Sequence, residues 1–343
     1  MDGVAKIGDH MRRLGLFVIL PALVAWFPIK AMSAESLRTD LPLACIPGID
    51  CFIQNYPDVD PTQSASDHSC GEMTYDDHSG TDFRIPDLLA MKRGVAVKAA
   101  AAGTVIRTRD GIADNPLSRT KIAVPGDKAC GNGVVIDHGE GWTTQYCHMR
   151  NGSVLVKPNE TILRGTALGK VGMSGQASFP HLHFTVRKGD TVLDPFTRLS
   201  LGTGCGADGA SLWTDATTYA LSYRSAAILN TGFSSKPIEY EDIETGRFAD
   251  FRLTENSPAL VFYGRSIGLV AGDVEVIEIR GPDGAVLISH AGDPLDKAKA
   301  DKFSFAGRKA PKSGWKKGVY TGIYRVLRSG LIVSEAVNTI NFD

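Results

Sequence analysis

Short runs of β-branched and aromatic residues, separated by glycine-rich turns, recur along most of this chain. In the first half they include residues 94–97, 103–106, 133–137 and 183–187. Runs of this length are too short for typical helices and have the length of strands. Because they follow one another closely, with turn residues between them, we expect them to pair as an antiparallel sheet. The pattern predicts a mainly β protein rather than a helical bundle.

A glycine-rich break divides the chain into two parts. Residues 201–209 contain four glycines, and we predict a linker over residues 201–222. Beyond it, about seven strand-like runs follow one another, a pattern that predicts an immunoglobulin-like β-sandwich domain over residues 223–343. Before it we predict a domain over residues 67–200, preceded by an N-terminal lead segment over residues 35–66.

Residues 1–34 have the layout of a secretory signal peptide. Arg12 and Arg13 precede an apolar run over residues 14–27, and small residues follow it up to Ala34. A basic start, a short apolar centre and a small-residue end are typical of signal peptides, whereas a membrane span needs about 20 apolar residues. Cleavage after Ser33 or Ala34 would place the mature chain outside the reducing cytosol. An uncleaved anchor is the alternative.

All six cysteines lie beyond the predicted signal peptide, in a compartment that permits up to three disulfides. The sequence alone does not select one pairing. One pair can be argued, because residues 134–136 and 143–146 are predicted to form a hairpin with Cys130 and Cys147 at opposed ends. The alternative is that Cys147 is a small buried thiol. The absence of any Cys-x-x-Cys spacing argues against a four-cysteine zinc site.

The charge balance excludes one class of partner. The chain has 37 Lys and Arg against 38 Asp and Glu, and its formal net charge is -1. A dedicated nucleic-acid-binding protein would carry a basic excess. We therefore predict no nucleic-acid partner.

Three histidine motifs in the first half carry the chemistry. In PHLH, residues 180–183, strand alternation would turn His181 and His183 to the same face. In HSGTD, residues 78–82, an imidazole and a carboxylate flank a glycine turn, and this pair of ligand types suits Zn²⁺. The third motif is QYCH, residues 145–148, at the end of the predicted hairpin. Each motif alone is weak, since a His-x-His pair is more often two partly exposed strand residues, but together they favour a metal site.

In this order, and in a glycine-rich β domain behind a signal peptide, the motifs resemble the lysostaphin-like (LytM-type) zinc metallopeptidases, which cut peptidoglycan peptides. The resemblance covers residues from about 70 to 197. It is carried by HSGTDF at 78–83, GNGVVIDHG at 131–139, YCHM at 146–149, LRGTALGKVG at 163–172 and PHLHF at 180–184. It implies that residues 67–200 form an antiparallel β-sheet zinc metallopeptidase domain.

The resemblance also implies roles for five residues. The zinc ligands of the family correspond to His78, Asp82 and His183, which implies one Zn²⁺ per chain. The two catalytic histidines correspond to His148 and His181. Three protein ligands leave one coordination position open, as in catalytic zinc sites. Because the chain has no His-Glu-x-x-His motif to supply a glutamate base, the two catalytic imidazoles are the candidates for that role.

Two positions depart from the usual pattern of the family. Cys147 stands where a small residue is common, and Ser178-Phe179 precedes the His-x-His motif where Thr-Gly is commoner. Neither change removes a ligand, so we expect the site to be intact.

These observations predict a periplasmic or secreted zinc endopeptidase that hydrolyses peptide bonds of peptidoglycan. Two alternatives stay open. One is a non-catalytic adaptor on the same scaffold that activates another cell-wall hydrolase, although such an adaptor would be expected to have lost ligands. The other is a zinc peptidase for secreted proteins. The predicted partners are peptidoglycan peptides, with no stable membrane span after signal cleavage and with the C-terminal sandwich as a candidate partner-binding module.

Overall fold

The computed structural model describes residues 1–3, 37–115 and 126–342, apart from the side chain of Asp127. The apolar run and the cleavage positions of the predicted signal peptide lie outside the described residues. Among the residues that are described, no helix is long and apolar enough to cross a membrane.

The first half of the described chain is built on an eight-stranded antiparallel sheet. Its elements are β1 (Phe52–Asn55), β2 (Thr81–Arg84), α1 (Leu88–Arg93), β3 (Ala96–Lys98), β4 (Gly103–Arg109), a 3-10 turn (Gly126–Lys128), β5 (Asn132–Asp137), β6 (Trp142–Met149), β7 (Thr161–Ile162), β8 (Ala167–Lys170), β9 (His181–Lys188), β10 (Thr191–Leu193) and α2 (Asp215–Ala220). The strand order is β1-β2-β9-β6-β5-β4-β7, with β10 paired to β9, while β3 and β8 form a separate two-stranded sheet. The predicted antiparallel β architecture is confirmed.

Alternation along β9 separates the core from the face that carries the histidines. Leu182, Phe184 and Val186 are fully buried in the core of this half. Because successive strand residues point to opposite faces, His181 and His183 project to the other side of the sheet. One strand therefore both anchors the core and presents the His-x-His motif.

The predicted hairpin and its disulfide are both confirmed. Strands β5 and β6 pair antiparallel, with Asp137 opposite Thr143. Cys130 and Cys147 are disulfide-bonded, with their Cα atoms 4.8 Å apart. The other two disulfides join Cys45 to Cys51 and Cys70 to Cys205.

The two segments that we predict as an N-terminal lead and as a linker are both packed into the first half of the chain. Strand β1 lies within residues 35–66 and forms the edge of the main sheet by pairing with β2. Within residues 201–222, Leu212 and Trp213 are fully buried and belong to the same hydrophobic core as the sheet. Burial of a tryptophan of this size holds the segment against the first half of the chain.

The second half contains seven strands in two sheets. Its elements are β11 (Ala227–Ser234), α3 (Tyr240–Glu244), β12 (Ala259–Leu269), β13 (Val274–Arg280), β14 (Val286–Ala291), β15 (Lys299–Lys309), β16 (Gly318–Arg328) and β17 (Leu331–Phe342). The sheet orders are β11-β12-β15 and β14-β13-β16-β17. Buried side chains of both sheets, including Phe262 and Tyr324, share one core. This two-sheet arrangement is compatible with the predicted immunoglobulin-like sandwich.

The second half packs directly against the first half of the chain. Tyr56 and Met73 share an apolar cluster with Leu229 and Ile267. Beside this cluster, four charged side chains form a network that we call the seat network, consisting of Arg84, Glu244, Arg265 and Asp301. Arg84 lies on β2 and the other three lie in the second half. A buried apolar cluster and a buried charged network therefore join the two halves.

Candidate metal centre and active site

The three predicted zinc ligands lie together, although His78 and His183 are far apart in sequence. Asp82 on β2 is directly opposite His183 on β9. Asp82 Oδ1 is 2.9 Å from His183 Nδ1, and Asp82 Oδ2 is 3.2 Å from His78 Nε2. The ligand atoms of these three residues all lie within 4.8 Å of one another. Two imidazoles and one carboxylate at this spacing fit the donor set of a Zn²⁺ site.

Hydrogen bonds to neighbouring groups orient each of these side chains. His78 Nδ1 donates to the backbone carbonyl of Tyr56 at 2.7 Å, so Nε2 is unprotonated and its lone pair is free to bind a metal ion. His183 Nε2 lies 3.1 Å from the hydroxyl of Thr185, so Nδ1 faces the other ligands. Asn55, at the end of β1, donates to Asp82 Oδ2 at 2.8 Å. Partners of this kind fix the tautomer and ring orientation that a metal ligand needs.

The two predicted catalytic histidines lie beside this group. The ring centroids of His148 and His181 are 4.6 Å apart. Each ring donates from Nδ1 to a backbone carbonyl, His148 to Ser174 at 2.9 Å and His181 to Phe179 at 2.8 Å. Both rings therefore keep Nε2 unprotonated when neutral, and His181 Nε2 is 3.5 Å from Asp82 Oδ1.

The electrostatics keep these two rings neutral. Burial and the neighbouring imidazoles hold the pKa of His148 well below its usual value. Burial also lowers the pKa of His181, with partial opposition from Asp82. For Asp82 itself, burial would raise the pKa, but His78 and His181 outweigh it and hold the carboxyl well below its usual range. A carboxylate that stays ionised beside neutral imidazoles suits metal binding and proton acceptance near pH 7.

Two open cavities meet at this cluster. The first, of about 460 Å³, is bounded by the loop at residues 176–179 and, from the second half of the chain, by Tyr240 and Asp301. The second cavity, of about 280 Å³, is lined by Gln145 and Arg187. Both cavities are lined by His148 and His183. An extended peptide could therefore lie across the cluster with a portion in each cavity.

Several residues of the site have no motif in the sequence that identifies them. Tyr75 lines both cavities, and its ring lies 4.5 Å from that of His78. Asn55 and Tyr240 reach the site from β1 and from the second half of the chain. Tyr75 lies three residues before the HSGTD motif, and this proximity is the one signal that could have identified it.

Comparison with known proteins agrees with this arrangement. Residues 76–195 match the model of peptidase family M23. The peptidoglycan DD-endopeptidase ShyA of Vibrio cholerae is 34% identical over 107 residues, which are 31% of this chain and 19% of that protein. The cell division protein DipM of Caulobacter vibrioides is 33% identical over 103 residues, which are 29% of this chain and 15% of that protein. The chain thus spans a fifth or less of the length of these two relatives.

A solved structure described as a putative peptidase M23 from Pseudomonas aeruginosa is 30% identical, with a TM-score of 0.24, and covers 38% of this chain and 48% of its own. All five predicted site residues lie inside the matched range 76–195. The family model thus matches the part of the chain that carries the histidine motifs, in agreement with their resemblance to the LytM-type metallopeptidases.

Proposed function

We propose that this protein is a zinc-dependent endopeptidase that hydrolyses peptide bonds of peptidoglycan. The observation that carries the proposal is the His78, Asp82 and His183 group, whose ligand atoms lie within 4.8 Å of one another beside the neutral pair His148 and His181. The family match supports peptide hydrolysis, and the relative named as a peptidoglycan DD-endopeptidase supports the substrate class. The predicted signal peptide and the three disulfides support a periplasmic or secreted location.

In this proposal His78, Asp82 and His183 hold one Zn²⁺. When bound, zinc supplies a Lewis acid for the scissile carbonyl and lowers the pKa of water towards about 7. Asn55 and the carbonyl of Tyr56 keep the ligands in orientation. The assignment depends on donor types and spacing that the chain itself provides.

His148 and His181 do the proton chemistry. Each holds its Nδ1 proton against a backbone carbonyl, so each can accept a proton at Nε2. One ring takes a proton from the attacking water, and a protonated ring can then deliver it to the leaving amine. The ring that has gained this proton at Nε2 is then also placed to donate a hydrogen bond to the developing oxyanion.

The test uses mature protein with its zinc content quantified and purified cross-linked sacculi. Released muropeptides are identified by mass spectrometry with and without a chelator, and again after zinc is restored. Loss of cross-linked dimers that the chelator blocks and zinc restores is the expected result. Intact dimers in the presence of stoichiometric zinc would contradict the proposal, and cleavage of denatured periplasmic proteins in the same assay would favour a peptidase for secreted proteins.

Removal of the disulfide beside His148 is expected to reduce both stability and activity. The backbone N–H of His148 donates to the carbonyl of Cys130 at 2.8 Å, so the Cys130–Cys147 bond fixes the strand that carries the catalytic ring. Closing this loop of 17 residues stabilises the fold by about 3 kcal/mol in the chain-entropy treatment. A double Cys130→Ser and Cys147→Ser variant should lose about that much in urea unfolding and several-fold in kcat.

The matched control is the double Cys45→Ser and Cys51→Ser variant. That bond closes a loop of 6 residues away from the histidine rings, so it should cost about 2 kcal/mol and leave kcat unchanged under conditions where both variants are folded. Equal kcat in the two folded variants would show that the Cys130–Cys147 bond does not position His148.

A further inference from the structure

The face of β9 that carries the His-x-His motif continues to Arg187. Residues 181, 183, 185 and 187 alternate with the buried core residues and so share one face. The contact of 3.1 Å between His183 Nε2 and the Thr185 hydroxyl shows that the row is continuous. Arg187 is partly buried and lines the same cavity of about 280 Å³ as His148 and His183. An arginine therefore lines the cavity that His148 and His183 also line.

The charge of Arg187 is uncompensated within the described residues. Arg84, Arg265 and Arg328 each form an ion pair with an aspartate, whereas no described carboxylate pairs with Arg187. Burial, and then the second cation Arg107, lower the pKa of Arg187.

The neighbouring side chains do not supply the missing anion. Gln145, Ser79 and Thr185, which line the same cavity, are neutral. Asp137 lies on the same face but two strands away, roughly 10 Å, and it accepts the N–H of Gly139. Keeping a cation partly buried beside another cation is unfavourable unless an anion joins it. The missing partner is therefore a negative group that the described residues do not supply at this position.

We propose that Arg187 is a specificity-determining residue that binds a free carboxylate of the substrate peptide. This inference rests on the proposed function, in that it assigns a subsite to the same groove. Arginine suits the role because its planar guanidinium can form two parallel hydrogen bonds with a carboxylate. The Cα atoms of His183 and Arg187 are four strand residues apart, about 13 Å. The recognised carboxylate therefore lies about three or four residues of extended peptide from the scissile bond.

The contact is expected to affect KM rather than kcat. The Cα atom of Arg187 lies about 13 Å along β9 from that of His183, so its hydrogen bonds reach a part of the substrate that does not change between the ground state and the transition state. When a lost interaction had stabilised the bound substrate and the transition state equally, KM rises and kcat is unchanged. A charge-assisted pair of this kind corresponds to about a ten- to hundredfold change in KM.

The experiment compares a cross-linked stem-peptide dimer with the same dimer in which every free carboxyl is converted to the amide. Wild-type protein, Arg187→Gln and Arg308→Gln are measured with both, and Arg308 is the charge-matched control on β15 of the second half. We expect wild type and Arg308→Gln to favour the carboxylate form by about ten- to a hundredfold in KM. Arg187→Gln should lose this preference while keeping kcat, zinc content and thermal stability.

Calorimetric titration of the zinc-loaded proteins with the same two dimers provides a readout that needs no hydrolysis. If wild type cleaves neither dimer but binds the carboxylate form more tightly through Arg187, the proposed function fails and this inference stands. If wild type shows no preference in KM or in binding, or if Arg187→Gln keeps the preference, the inference is overturned whether or not the protein is an endopeptidase.

Discussion

Replacing His183 with alanine is expected to abolish hydrolysis and to remove stoichiometric zinc. Asp82 Oδ1 and the Nδ1 atom of His183 are 2.9 Å apart, so this substitution deletes one of three donors and leaves two to hold the ion. Without the Lewis acid, neither the carbonyl nor the water is activated, and the rate should fall by roughly a thousandfold or more. Elemental analysis of zinc and release of muropeptides measure the two effects separately.

The matched control for this variant is His290→Ala. His290 lies on β14 of the second half, paired with Ile277 and outside both cavities. It should keep zinc and activity at the wild-type level. His183→Ala should remain folded, because the core side of β9 is unchanged. Undiminished activity in folded His183→Ala would remove His183 from the proposed mechanism.

Replacing Asp301 with alanine is expected to cost about 3–5 kcal/mol in the free energy of unfolding. Asp301 accepts hydrogen bonds from Arg84 at 3.0 Å and from Arg265 at 2.9 Å. The side chains of these two arginines are 1% and 0% exposed. Without Asp301, two buried guanidinium groups share Glu244 as their remaining carboxylate in the seat network. Urea unfolding at pH 7 measures the loss.

The pH dependence of the same variant provides an independent check. Burial alone would raise the pKa of the Asp301 carboxyl, but Arg84 and Arg265 outweigh it and hold the pKa below its usual range. A group whose pKa is lower in the folded state stabilises the protein above its unfolded pKa, about 3.9. This stabilisation is lost as the pH falls through the folded value. The difference between wild type and Asp301→Ala should therefore be largest near neutral pH and should shrink below about pH 4.

Asp296→Ala is the control for both measurements. Asp296 pairs with Lys299 on the surface, and its side chain is 76% exposed. Exposed pairs contribute little because solvent screens them, so this variant should unfold like wild type at every pH. Equal unfolding of Asp296→Ala and Asp301→Ala would show that the seat network does not stabilise the joint between the two halves.

Much of the strand content could be predicted from local patterns alone. The apolar runs at residues 133–137, 274–279 and 318–326 lie within β5, β13 and β16, because a strand with one buried face needs a regular supply of β-branched and aromatic residues. Strand β15 has no such signal, since KADKFSFAGRK contains four Lys and Arg residues and no continuous apolar run. It is an edge strand, and charged side chains are expected at sheet edges.

The sequence by itself determined the three histidine motifs, and strand alternation placed His181 and His183 on one face. Tertiary structure alone decided which distant residues meet them. Asn55, Tyr75 and Asp301 reach the groove from separate segments, and the pairing of Cys70 with Cys205 spans 135 residues. The spacing of residues along the chain shows which side chains of a strand share a face. It does not show which strands lie next to it, because this depends on strand order and register across the whole sheet. The candidate ligands were therefore readable from motifs, whereas their hydrogen-bond partners and the walls of the groove required the fold.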